Sequence, residues 1–112
     1  MEPLWLDELK RWFDAYTNGF FGSDEYVNRH LRLKQEHTGR TGEQILYLAE
    51  RLGLDANQTR IAEAVALLHD IGRFPQFARY RTYNDLRSVN HCCLGVEVLH
   101  QLRGRHGLTR QV

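Results

Sequence analysis

An all-α fold, a compact bundle of helices, is predicted for this chain by three observations. Apolar residues recur at i, i+3 and i+4 in several separate stretches, with glycine, asparagine or aspartate between them as stops and caps. No segment alternates apolar and polar residues for long enough to suggest a strand. Residues 61–68, IAEAVALL, leave almost no polar face, so the helix they form is expected to be buried among other helices.

The first helix is expected over residues 3–17, where Leu4, Trp5, Leu6, Leu9, Trp12, Phe13 and Tyr16 share a face. Pro3 falls in its first turn, where the missing N–H is harmless. Asn18, Gly19 and Gly22 break the pattern, and Ser23, Asp24 and Glu25 give a capped, acid-first start to a second helix. From Tyr26 on, His30, Leu33, His37, Thr41 and Leu48 fall within about 40° of one line at roughly 100° per residue, so that stripe is expected to point inward. Gly39 and Gly42 weaken the middle and are expected to allow a kink. Ile45, Leu48, Ala49 and Leu52 close this helix and Gly53 ends it.

Asp55 with Gln58 resembles a capping box opening the third helix, in which Ile61, Val65, Leu68 and His69 share a face. Gly72 reads as the stop after it, allowing a sharp turn. Pro75 and the aromatics Phe74, Phe77, Tyr80 and Tyr83 predict one short helix and then an irregular loop, with at least two of the rings in the core or a lid. Ser88 or Asn90 caps the last helix, whose stripe is His91, Leu94, Val98 and Leu102, and Gly104 and Gly107 end it.

A chain of 112 residues makes one domain, 1–112, with a single core. Its hydrophobic fraction of 42% and charged fraction of 26% are those of a soluble protein, and no apolar run nears the roughly 20 residues that span a bilayer. Glu2, Asp7 and Glu8 interrupt the amino-terminal apolar residues, which do not resemble a secretory signal, and a cytoplasmic location is the expectation. Cys92 and Cys93 are sequence neighbours, a poor geometry for a disulfide, and are expected to pack in a helix in a reducing compartment. A net charge of +1 gives no reason to expect a membrane or nucleic-acid partner. HLRLK and ARYRTY are basic but sustain no basic face.

The chemistry lies in His37, in the doublet His69 and Asp70, and in His91, delivered inward from three different helices. A buried carboxylate beside an imidazole needs a partner, and a metal ion satisfies both. Nitrogen and oxygen donors suit Fe, Mn, Zn, Co or Ni, and the lack of suitable thiolates argues against a closed structural zinc site. His30 is assigned to packing or to supporting the ligands, and His100 and His106 to the surface.

The segments KQEHTGR, LLHDIGRF and SVNHCCLGVEVL resemble the HD-domain superfamily of metal-dependent phosphohydrolases over about residues 26–102. The resemblance implies an all-helical HD-like fold and a centre of one or two divalent ions, Mg included among the candidates. His37, His69 and Asp70 would bind metal, with Asp70 bridging two ions and His91 helping to hold the second. The family pattern closes with a further aspartate, and none follows Asp85 here, so the domain is expected to be incomplete at its carboxyl end. A longer protein, a ligand from water or a partner subunit (a homodimer among the arrangements), and a degenerate site remain as alternatives. Asp85 precedes His91 and is in the wrong order to replace the closing residue.

Metal-activated water attacking a phosphate ester, a nucleotide among the candidates, is the reaction expected. Asp70 would orient the nucleophile or take its proton. Arg73, just past the doublet, and Arg40 and Lys34, each one turn from His37, would reach phosphate oxygens. The alternative is a regulatory module of the same fold that binds metal or nucleotide without turnover.

Overall fold

The computed structural model describes residues 4–106, with side chains described through residue 103. Its elements are α1 (Trp5–Asn18), α2 (Glu25–Arg51), α3 (Ala56–Leu68), α4 (Arg73–Tyr80) and α5 (His91–His106), with no strand among the described residues. Pro3 and Gly107 lie outside them.

Local rules account for most of the helix limits. Asp24 caps α2 by accepting from the N–H groups of Tyr26 and Val27. Asp55 and Gln58 form the expected reciprocal box, at 2.7 and 3.1 Å. Gly53 ends α2 at φ +69°, a conformation that favours glycine, while the Leu54 N–H reaches back 3.0 Å to the Ala49 carbonyl. Asn90 caps α5 through a 2.8 Å bond from the Cys92 N–H.

Helix α1 buries Leu6, Leu9, Phe13 and Thr17. Thr17 is fully paired there: its hydroxyl donates to the Phe13 carbonyl at 2.9 Å and accepts from Gln35 of α2 at 2.9 Å. The centre of the core is Phe13, Leu31, Ile71, Phe74, Phe77 and Val98, so α1, α2, α4, α5 and the turn before α4 meet there. Phe74 and Phe77 fill it, as the aromatic run suggests, and Leu94, Val98 and Leu102 bury the α5 stripe.

Several expectations are corrected. Helix α2 is continuous through Gly39 and Gly42, and it buries Leu31, Thr38 and Ala49 rather than the line through its histidines. Leu33 and Leu48 are about half exposed, because neighbouring helices lie roughly a quarter-turn round from that line. Helix α3 buries only Ala66 and leaves Ile61 at 51% and Val65 at 62% exposure: α2 and α1 cover one side of it, and no described element covers the other. Cys92 and Cys93 are exposed on α5 rather than packed. Gly104 does not end α5, which runs to His106. As expected, α3 stops before Gly72 in a tight turn, in which Gly72 keeps a right-handed backbone at φ −69°.

Candidate metal centre

Asp70 sits in the turn between α3 and α4, 9% exposed, and cationic or imidazole nitrogens approach it from three helices and from the turn itself. Its Oδ2 lies 3.3 Å from His69 Nε2, 3.6 Å from His37 Nε2 and 3.7 Å from Lys34 Nζ. Its Oδ1 lies 3.6 Å from His91 Nε2 and 4.0 Å from Arg73 Nε. The two carboxylate oxygens therefore face different partners. Every one of these separations exceeds a well-formed hydrogen bond of 2.7–3.2 Å, so the groups converge without closing on one another.

The hydrogen bonds on the far side of two rings fix their tautomers. His69 Nδ1 lies 2.6 Å from the Ala66 carbonyl, which can only accept, so Nδ1 carries the proton and the Nε2 of the neutral ring is bare. His91 Nδ1 lies 3.1 Å from both oxygens of Asp85, and the same logic leaves its Nε2 bare. In the neutral rings lone pairs then face the Asp70 carboxylate from two sides, with Cys92 Sγ 3.6 Å from the His91 Nε2, an arrangement that a cation between them resolves. Two ligands about 2.1 Å from one ion in tetrahedral geometry stand about 3.4 Å apart, and the imidazole-to-carboxylate spacings of 3.3–3.6 Å match that. His37, His69 and Asp70 each offer a ligand atom within 4.8 Å of the others, and they could hold such an ion.

Asp85 is the residue that sequence reasoning undervalued. Besides the His91 ring it accepts from the His91 backbone N–H at 2.9 Å, from Gln76 Nε2 at 2.9 Å and from Arg73 Nη1 at 3.4 Å. The backbone bond, then those from the His91 ring and Gln76 and the nearby guanidinium, outweigh its partial desolvation and hold its pKa near 2. Its position six residues before His91, in the loop that starts the helix, was the available signal; the reading as a misordered ligand passed over a supporting carboxylate.

Gly72 makes the convergence possible by having no side chain. A Cβ there would stand 1.9 Å from the His91 carbonyl and 2.6 Å from the Gly95 nitrogen, so only glycine lets α5 approach the turn this closely.

Of the other predicted site residues, Arg73 is mostly enclosed. Its Nη1 donates to the Tyr83 carbonyl at 2.7 Å and to Gln76 Oε1 at 2.9 Å, tying α4 to the following loop. Its Nε is buried without a hydrogen-bond partner. Lys34 lies over the Tyr83 ring at 5.2 Å. Burial, opposed by Arg73 and reinforced by the Asp70 charge, pushes the Tyr83 hydroxyl above its usual range. Arg40 is exposed one turn beyond His37. His30 packs, its ring stacked on Phe77 at 4.6 Å, and Tyr83 donates to its carbonyl at 2.7 Å. His100 is exposed, and the side chain of His106 lies outside those described. No helix of the described residues is long and apolar enough to cross a membrane.

The family model of the HD domain matches residues 35–112, the stretch carrying all four candidate ligands. No curated protein and no solved structure matches the chain.

Proposed function

The chain belongs to the HD-domain family, and on that footing we propose that it is a metal-dependent phosphohydrolase acting on a phosphate ester, with nucleotides the first class to test. One observation carries the reading: the bare Nε2 atoms of His69 and His91 face the Asp70 carboxylate at 3.3 and 3.6 Å, a donor set arranged for a cation. A divalent ion bound there supplies an acidified water and offsets phosphate charge. The candidates for the ion are Mn, Fe, Co, Ni, Zn and Mg, held singly or as a pair.

The chain's own groups have separable roles in it. Asp70, already enclosed by nitrogens, orients the attacking water and accepts its proton. His37, His69 and Asp70 hold the ion, and His91, facing the other Asp70 oxygen, helps to hold a second. Lys34, 24% exposed at its side chain and 3.7 Å from Asp70, supplies positive charge for phosphate oxygens at the edge of the cluster. Arg40 meets the outer part of the substrate. Arg73 adds positive charge beside Asp70 for the phosphate, its Nη1 being engaged by Tyr83, Gln76 and Asp85 and its Nε buried.

That engagement favours a second reading, an HD module that binds metal or nucleotide without turnover. Both are tested by metal analysis of the purified chain, then phosphate release from an aryl phosphate and a nucleotide panel with Mn or Co added and afterwards chelated. Metal-dependent release that His69→Ala abolishes is the expected result. Bound metal without release supports the module; no metal bound by the intact chain overturns the phosphohydrolase, and no binding of metal or of any nucleotide in the panel overturns the module as well.

A further inference from the structure

We propose that Gln76 is a positioning residue of the centre, the side chain that holds the Asp85 carboxylate against His91. Gln76 lies on α4 and is fully enclosed, at 0% exposure, and its amide hydrogen-bonds to none of the candidate metal ligands. An apolar side chain would fill that place without taking a primary amide out of water. Both ends of the amide are instead engaged. Oε1 accepts from Arg73 Nη1 at 2.9 Å, and Nε2 donates to Asp85 Oδ1 and to Ser88 Oγ, each at 2.9 Å, with the Val89 carbonyl 3.4 Å away. These partners fix which way the amide points, because a guanidinium only donates and a carboxylate only accepts.

The oxygen of Asp85 that Gln76 reaches is the one that serves His91. Oδ1 also receives the His91 backbone N–H at 2.9 Å and faces the ring Nδ1 at 3.1 Å. The second N–H of Gln76 goes to Ser88, whose hydroxyl lies 3.0 and 3.1 Å from the Asn84 and Val89 carbonyls. One side chain thus steadies both the carboxylate and the loop that carries it into α5. The Arg73 charge at Oε1 polarises the amide and strengthens the bonds it donates. Without Gln76, Asp85 keeps only His91 and the 3.4 Å approach of Arg73, and its side chain, 29% exposed, is free to turn toward water.

As regards ion affinity this role rests on the metal centre proposed above, whereas the His91 tautomer can be read with no ion present. Gln76→Met nearly keeps the volume and removes all of these amide bonds. In the wild type, long-range proton–nitrogen correlation spectra are expected to show His91 protonated at Nδ1, its signals being those that His91→Gln removes. In Gln76→Met, with helical circular dichroism unchanged, a large share of that ring is expected to pass to the other tautomer. Calorimetric affinity for Mn or Zn is expected to fall about 3- to 10-fold, less than for a group that touches a ligand directly. Because Gln76 acts through Asp85, adding Gln76→Met to Asp85→Asn is expected to cost no further affinity. A wild-type His91 tautomer in Gln76→Met, or losses that add in the double variant, makes Gln76 a structural residue only and overturns the inference. A wild-type chain that binds no metal overturns the centre, and the tautomer then decides the role of Gln76. Should Gln76→Met fail to fold, Gln76→Glu, which keeps the acceptor toward Arg73 and loses both N–H donors, is read in the same way.

Discussion

Asp85 and Gly72 do more for the centre than their bland sequence settings suggest. Asp85 holds both the backbone and the ring of His91, so its charge sets that ring's tautomer and basicity. Asp85→Asn keeps an acceptor for the backbone N–H but removes the charge, and metal affinity measured calorimetrically is expected to fall about 10- to 100-fold. Gly72→Ala places a methyl against the His91 carbonyl. Because both neighbours are backbone, the clash cannot be relieved by a rotamer change, and a loss of about 2–3 kcal/mol in denaturant unfolding is expected. Weakened metal binding should accompany it, since α5 carries His91. The distinction between the two is direct: one variant lowers affinity with the fold intact, the other lowers both.

Helix α2 is the long element on which α3 and α4 pack, and its ends and its interior can be tested separately. Gly39 lies in its interior, where a Cβ meets nothing within 4 Å. Gly39→Ala is therefore expected to stabilise the protein by about 0.5–1 kcal/mol, read as a shift in the unfolding midpoint at constant slope. At the amino end, Asp24 caps the helix and pairs with Arg81, whose backbone adopts φ 56° just after α4. The Arg81 hydrogen bond, then that from the Val27 N–H, holds the Asp24 pKa below its ordinary value. A carboxyl with a lowered folded-state pKa contributes stability above its unfolded pKa, about 3.9, and loses it as pH falls through the folded value. Asp24→Asn retains the cap but not the charge. Its Tm is expected to trail wild type at pH 6 and to converge on it as pH falls below the lowered folded-state value.

At the scale of the whole molecule, the turn carrying Asp70 is where α2, α3, α4 and α5 come together, so a ligand there ties elements distant in sequence. Metal at about 100 times its Kd adds about 2.7 kcal/mol, which in a chain of this size raises Tm by roughly 10 °C. The rise is expected with Mn or Zn and absent with chelator or in His69→Ala, a measurement that needs no substrate. Much of this architecture was legible beforehand, and for a physical reason. Caps such as Asp24, Asp55 and Asn90, the stop at Gly53 and the short helix after Gly72 are decided within about four residues of chain, the reach of a helical hydrogen bond. That His37, His69 and His91 would converge on Asp70 was likewise legible, because imidazoles and a carboxylate stand on the inner ends of separate helices. Which face of a helix is covered is another matter, since it depends on neighbours contributed from elsewhere. That is why the inward line drawn through Leu33 and Leu48 misplaced the buried side of α2, why the apolar α3 proved open on one side, and why the cysteines lie outside. Asp85 reaching His91, and Gly72 admitting the first turn of α5, likewise follow from a close approach of backbones that local patterning does not encode. Composition and spacing decided the helices and the residue types that meet at the turn; packing decided which surfaces are covered and which carboxylate steadies the His91 ring.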